Sequence, residues 1–290
     1  MDVTVRPLAE ADVDAAREVQ SRAFDEHDRA FGDPVSPNTD EAIERQRRRL
    51  RHFLTHDPEG SWVATAGADV IGVALALRRG SMWGLSLLVV EPEQQSRGVG
   101  RLLLDASLTY AAGVETAIIL SSRDPRAMRR YAAAGFALHP QVSASGPLDR
   151  SRLQRPGRPV RDGGPDDAAW ADEIDMAVRG APRGPDHVLL STMFVMYVLD
   201  DADGRGYAYV RRDGRIVSVA ATDDDTATAL LWHALALDTD GDRTIDHINA
   251  GQQWAVDVAV AAGLRLQAAG PVFWRGRTPP LSYLPDGAYL

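Results

Sequence analysis

The chain has 290 residues, 44% of them hydrophobic and 25% charged, with a formal net charge of -9. That length suits two domains of roughly 100–200 residues each, and the acidic balance argues against a nucleic-acid partner. With no cysteine and with arginine at all 32 basic positions, disulfides, thiolate zinc sites, a thiol nucleophile, a Schiff-base lysine and the Walker lysine are all excluded.

The first segment, MDVTVRPLAEADVD, lacks the order of a signal peptide. The most apolar region, 70–90, is interrupted by Arg78, Arg79 and Gly80 and is too broken to span a bilayer. A cytoplasmic protein without a membrane partner is the expectation. VTVRPL reads as a short strand. Residues 12–24 carry Val13, Ala16, Val19 and Ala23 at helical spacing, and a loop, FDEHDRAFGDPVSPNTD, is expected next. A charged helix follows over 40–56. Its Arg45, Arg47, Arg48, Arg49 and Arg51, interleaved with Glu41 and Glu44, read as a solvated face. SWVATAG, DVIGVALAL and WGLSLLVV are strands. GVGRLLLDASLTYAAG is a helix closed by Gly113, and TAIILSS is a buried strand. Asp124 and Pro125 have the types preferred at the N-cap and first position of a helix, which ends at Gly135. FALHP begins another strand. Residues 140–165, rich in Gly, Pro, Ser and Arg, read as a linker, part of which can serve as a last strand of the first unit.

The second half repeats this order. VRPLAEADVDAAREV aligns without a gap on VRDGGPDDAAWADEI. TAIILSSRDPRAMRRYAAAGF aligns without a gap on TIDHINAGQQWAVDVAVAAGL, pairing Thr116 with Thr244 and Gly135 with Gly263. GYAYVRRDGRIVSVAAT mirrors SWVATAGADVIGVALAL. The expectation is therefore an α/β fold with mixed sheets in two similar domains, 1–150 and 151–290.

Between strand LLVV and helix GRLLL stands Gln95-Ser96-Arg97-Gly98-Val99-Gly100, with Arg101 next. Glycines allow close backbone approach, and a helix start attracts anions, so this is a phosphate-binding turn or a turn that needs glycine for its dihedral angles. It lacks the third glycine of a dinucleotide fingerprint. The motif L88-V-V90-E-P92 followed by Q95-S-R-G98-V-G100, together with A127-M-R-R-Y131-A-A-A-G135-F136 about thirty residues on, resembles the GCN5-related N-acetyltransferases (GNAT). The resemblance spans roughly residues 3–140.

By that resemblance the turn, from Gln95 through Ser96, Arg97, Gly98, Val99 and Gly100 to Arg101, holds the pyrophosphate of acetyl-CoA. Val90 pairs with the pantetheine arm, and backbone at Leu88 receives the thioester carbonyl. Ser122 and Asp124 lie along the cofactor, although the family often has Asn where this chain has Asp124. Tyr131 is the general acid for the departing thiolate. The base is open: the strand before the turn offers only Ser86, and Asp25, Glu26 and His27 in the expected loop are the other acceptor-site candidates. The acceptor is a small-molecule or peptide amine, and no metal is implied. The oligomeric state, homodimer included, is open.

In the second half Ala259 stands opposite Tyr131 and Ala250 opposite Ser122. The turn is replaced by AATDDDTAT, whose Asp223, Asp224 and Asp225 repel a pyrophosphate. Two tandem GNAT-like domains, the second degenerate, are expected. That order resembles the enhanced-intracellular-survival type of acetyltransferase, which raises the question whether a carboxylate at Leu290 enters the site. His52 and His56 have metal-pair spacing without a clear third ligand. DTDGDRTID has Arg243 where a calcium loop needs glycine. The rival reading is a non-catalytic acyl-CoA-binding or sensing protein.

Overall fold

The computed structural model describes residues 2–155, 157–239 and 241–290. Asp240, in the segment read as a calcium-like loop, lies outside the described residues. In chain order the elements are β1 (Val3–Pro7), α1 (Val13–Phe31), α2 (Asp40–His56), β2 (Ser61–Ala66), β3 (Asp69–Arg79) and β4 (Met82–Val90). Then come α3 (Val99–Thr109), β5 (Thr116–Leu120), α4 (Pro125–Ala133), β6 (Ala137–His139) and β7 (Gln141–Gly146). The second half holds β8 (Val160–Gly163), α5 (Ala168–Val178), α6 (Pro185–Met193), β9 (Val195–Asp201), β10 (Gly204–Val210) and β11 (Arg215–Ala221). It ends with α7 (Asp224–Leu235), β12 (Arg243–Asn249), α8 (Gln253–Ala261), β13 (Arg265–Ala268), β14 (Val272–Arg275) and β15 (Tyr283–Leu284). Among the described residues no helix is long and apolar enough to cross a membrane.

The duplication read from the sequence is visible in local chemistry. Arg6 grips Asp12 with two hydrogen bonds of 2.7 and 2.8 Å, and Asp12 accepts from the Ala9 N–H at 2.9 Å. Arg161 grips Asp167 at 3.1 and 2.6 Å, and Asp167 accepts from the Gly164 N–H at 3.0 Å. Both arginines hold their aspartates below the usual carboxylate range, chiefly through these hydrogen bonds. Each cluster fixes the turn from a first strand into a first helix. Under the gapless alignment of Thr116 on Thr244, α4 and α8 also coincide residue for residue. Both are followed by a left-handed glycine, Gly135 at φ 85° and Gly263 at φ 80°.

One part of the repeat needs correction. The hairpin GYAYVRRDGRIVSVAAT forms as β10 and β11, but β9 precedes it, so in strand order it matches β3 and β4. The strand VMYVLDD was missed because it follows α6 with no Gly or Pro between them.

By compactness the chain divides into two units. The first comprises residues up to Arg78 together with Trp83–Ala117; the second comprises Arg79–Met82 and Ile118–Leu290. In the first unit β1 pairs antiparallel with β2 and β2 with β3. Val3 and Val5, Ala64, Ile71, Val99 and Leu103 form its core between these strands and α3. A Cβ at Gly72 would sit 2.8 Å from the Leu103 Cδ1, so β3 approaches α3 closely there.

In the second unit the last strands of the two repeats are exchanged. β7 does not stay beside β6. It runs between β12 and β13, pairing Gln141 with Asn249 and Ala144 with both Ile245 and Leu266. In return β14 lies between β5 and β6, pairing Val272 with His139 and Trp274 with Ala137. The Ser121 N–H donates to the Pro271 carbonyl at 3.0 Å where β14 enters. Residues 140–165 are therefore more than a linker, since 141–146 is a strand and its sheet belongs to the second repeat.

The rest of that sheet runs β12-β11-β10-β9-β8, mixed because β11 and β12 are parallel. Its apolar face, with Val219 and Ile245, packs on α7 and α8 through Leu230, Leu231, Trp254 and Val258. Each such side chain contributes about 1.5–3 kcal/mol when fully buried. The β3–β4 hairpin tip is anchored in this unit by ionic bonds. Arg79 is buried against Asp186 at 2.6 and 2.9 Å, and its Nε also donates to the Arg183 carbonyl at 3.0 Å.

Gly270 sits at the entry of β14, where a Cβ would lie 1.9 Å from the Ser121 carbonyl oxygen. Gly270→Ala must push backbone apart, and we expect it to cost about 1–3 kcal/mol, read as a lowered midpoint in urea unfolding.

Candidate active site

In the first unit the turn after β4 is built by backbone conformation. The Gln95 side-chain amide donates back to the Val90 carbonyl at 3.2 Å. Ser96 has φ 63° and Gly98, the N-cap of α3, has φ 88°. Nothing lies within 4 Å of a Cβ built on Gly98, so the dihedral angle and not crowding demands glycine, and the space over the turn is open. Gly98 at the N-cap offers no side chain to cap α3, and the first turn of the helix has no acidic residue. The positive end of the helix dipole is thus not offset by an acidic residue of its own first turn, an arrangement that favours anions. Arg97 and Arg101 are exposed at the rim; Arg97 donates to Gln94 at 3.3 Å, and Arg101 pairs loosely with Asp105 at 3.7 Å. Leu88 and Val90 pack with Val99 and Leu103, which fixes β4 against α3. Arg22 of α1 binds Glu91 at 3.0 and 2.5 Å and so ties α1 to the start of the turn.

The expected loop at Asp25, Glu26 and His27 is helix. Without glycine or proline to stop it, α1 continues to Phe31 and ends at Gly32, whose φ is 71°. Asp25 faces Arg29 one turn on at 3.8 Å. The His27 Nδ1 lies 3.5 Å from Asp28, with its ring 4.7 Å from that of Phe31. Ser86 is buried on β4 and covered by Arg49 of α2. Arg49 donates to the Ser86 hydroxyl at 3.2 and 2.6 Å and also to the Ser86 carbonyl. The solvated-face reading of the α2 arginines holds for Arg47, Arg48 and Arg51, which pair with Asp14, Glu44 and Glu10. It fails for Arg49, which turns inward. Its spacing gave the signal, one residue before Leu50 and four before Phe53, the two buried residues of α2.

In the second unit Asp124 caps α4, accepting from the Arg126 N–H at 2.8 Å, while Arg126 folds back onto its carboxylate. The Ser122 hydroxyl accepts from the Asp124 N–H at 3.3 Å. Tyr131 is 5% exposed and packs edge-on against Phe273, with centroids 5.5 Å apart. Burial pushes its phenol up to about 12; Arg130 pulls the other way, and Asp124 adds to the rise. The phenol therefore stays protonated throughout the physiological range. Phe273 lies on the exchanged strand β14, which local sequence pattern could not assign to this place.

The corresponding features of the second repeat are closed. Asp223 caps α7, accepting from the Thr226 N–H and hydroxyl, both at 2.7 Å. Burial raises its pKa, but these bonds, the Thr222 hydroxyl and Arg158 outweigh it, so Asp223 stays charged. β11 and β12 pair at Arg215 with Thr244 and at Ile216 with Ile245. Near there β12 is irregular: its register with β7 shifts between Ile245 and Ile248, and His247 has φ 63°. Farther along, β11 pairs with β15, Val219 with Leu284 and Ala220 with Tyr283, and the Ala221 N–H donates to Ser282 at 3.0 Å. Side chains fix this strand. Trp254 donates to the Leu281 carbonyl at 3.0 Å, Gln252 to the Tyr283 carbonyl, Ser282 to Asp224 at 2.5 Å and the buried Arg183 to the Tyr283 hydroxyl at 2.7 Å. Leu290 is fully buried among Met82, Ile118, Val272 and Trp274.

Two repeats of one mixed α/β plan, one with an open glycine turn and one with its turn capped, define a tandem GNAT-type fold. Comparison with known proteins agrees. Residues 35–145 match the model of an acetyltransferase (GNAT) domain. Serotonin N-acetyltransferase 2, chloroplastic, from Oryza sativa subsp. japonica is 30% identical over 115 residues, covering 38% of this chain and 57% of that relative. The chain thus spans little more than half the length of that relative. An acetyltransferase-type protein from Pyrococcus horikoshii superposes with a TM-score of 0.73 at 17% identity, covering 99% of this chain and 95% of that one. A GCN5-related N-acetyltransferase from Sphaerobacter thermophilus gives 0.57 at 16% identity, covering 97% and 98%. Residues 35–145 thus resemble a GNAT acetyltransferase domain, and the chain as a whole shares the fold of these two structures.

Asp223→Ala should cost about 0.5–2 kcal/mol by removing the α7 cap. Calorimetry with CoA should show no added site in this variant, because β15 still fills the fork beside β11.

Proposed function

We propose that residues 1–150 transfer an acetyl group from acetyl-CoA to a small-molecule or peptide amine, and that residues 151–290 form a degenerate repeat without that chemistry. The observation carrying this reading is the uncapped glycine turn on α3 inside a segment that matches a GNAT domain. In this reading Gln95, Ser96, Arg97, Gly98, Val99, Gly100 and Arg101 hold the pyrophosphate of the cosubstrate. Val90 lies along its pantetheine arm, and backbone at Leu88 receives the acyl oxygen. Ser122 and Asp124 flank the same arm, although the carboxylate of Asp124 is already engaged by Arg126 and the helix start.

The amine nitrogen attacks the thioester carbonyl, an N–C bond forms and the C–S bond breaks. The thiolate takes the proton of Tyr131, which burial keeps available, the amine gives its proton to solvent, and the phenolate takes one back from solvent to restore the acid. Positioning and stabilisation of the oxyanion supply most of the acceleration. Asp25, Glu26, His27 and Ser86 remain acceptor-site candidates, Ser86 as the anchor of Arg49.

Tyr131→Phe should lower kcat by roughly 10²–10⁴ with CoA affinity retained. In the wild type an alkaline fall in kcat from this group should be displaced upward from the ordinary phenol range, since burial raises its pKa to about 12. Calorimetry should count one CoA per chain. CoA binding with no acetyl-CoA consumption across a broad amine panel would instead favour the acyl-CoA-binding reading.

A further inference from the structure

We propose that the acceptor carries an anionic group, a carboxylate or a phosphate, beside its amine, and that Arg17 binds it. This rests on the acetyltransferase reading. Arg17 is on α1 and 8% exposed, the charged member of a buried face otherwise made of Val13, Ala16, Val19, Gln20 and Ala23. Its Nε and Nη1 are buried and meet no hydrogen-bond acceptor. Its Nη2 reaches the half-exposed Glu18 at 3.3 Å, a weak contact for an ion pair. A buried donor left unmet is costly, and more so when it is charged. A guanidinium held this way is placed for an incoming anion, where charge-assisted hydrogen bonds are strongest.

The neighbourhood supplies the complementary half. One turn on from Arg17, the Oε1 of Gln20 is buried without a donor, and Gln20 is 4% exposed. On α2 the Oε1 of Gln46 is in the same state. The two helices are clasped antiparallel by Asp14 with Arg47 and Glu10 with Arg51, each at 2.8 Å. That register sets Gln46, the neighbour of Arg47, about level with the turn between Asp14 and Arg17. Three residues on, Arg49 reaches Ser86, which is two positions before Leu88 on β4. The unmet donors of Arg17 and the unmet acceptors of Gln20 and Gln46 thus lie on one clasped helix pair, whose Arg49 reaches β4. A molecule with an acidic group for Arg17 and an amine N–H for the glutamine oxygens satisfies both.

The test uses the full chain and matched acceptors: amino acids against their amides, and phosphoethanolamine against ethanolamine. We expect at least a tenfold preference in kcat/KM for the acidic member of one pair; which pair responds tells carboxylate from phosphate. In Arg17→Gln that preference should collapse toward one through a raised acceptor KM, with the KM for acetyl-CoA held. Arg17→Lys should restore part of it. Equal turnover of acidic and neutral partners overturns the inference and leaves the acetyltransferase reading standing. So does an Arg17→Gln variant with a lowered melting temperature and all acceptors slowed alike, the mark of a structural role. No acetyl-CoA consumption with any acceptor overturns both.

Discussion

Every strand inside a sheet must find partners on both sides for its backbone N–H and C=O groups, and here neither repeat meets that demand from its own sequence. The place between β5 and β6 is filled by β14, and the place between β12 and β13 by β7. The exchange explains why compactness divides the chain at Ala117 and not near the middle of its sequence. It also explains why β14 carries Phe273, the ring against which Tyr131 packs. A residue of the second repeat thereby sets the environment of the candidate acid in the first.

The two repeats then part company at one helix start. At α3 the N-cap is Gly98, which has no side chain to cap the helix, and two left-handed residues, Ser96 and Gly98, shape the turn. In α7 the carboxylate of Asp223 is the N-cap and accepts from the Thr226 N–H. Anion binding and anion capping are alternative uses of the same helix-start groups, and the two repeats differ in which of these their sequences favour. The second repeat goes further. β11 pairs with β12 at Arg215 and Ile216, and farther along, at Val219 and Ala220, it pairs with β15, a strand of the chain's own.

Much of this was legible in the sequence. Gly98 and Gly100 after a strand, Asp124 before Pro125, and the gapless match that sets Gly135 on Gly263 all rest on local rules of backbone conformation, and such rules carry over into structure. The failures are of two kinds. The stop of α1 was set too early because the polar run DEHDRAF looks like a loop, yet it contains no residue that ends a helix before Gly32. Pairing between distant strands lies beyond local pattern altogether. Neither the small residues of QVSASG nor the dipeptide Tyr283-Leu284 says which neighbour it joins. Arg49 and Arg17 sit between these cases. Helical spacing puts both on buried faces, but charge counts alone assigned Arg49 to solvent.

The exchanged strands also dictate an order of folding. β14 begins at Val272, so the gap between β5 and β6 stays open until nearly the whole described chain is available. β7 in turn waits about a hundred residues for β12. Contacts this distant raise the loop-closure cost and slow the search for the native pairing. During synthesis the first repeat must persist with an unfilled sheet, exposed to pairing with other chains, until the second repeat supplies its strand. Cutting between the repeats would therefore leave each sheet without the strand that the other repeat supplies.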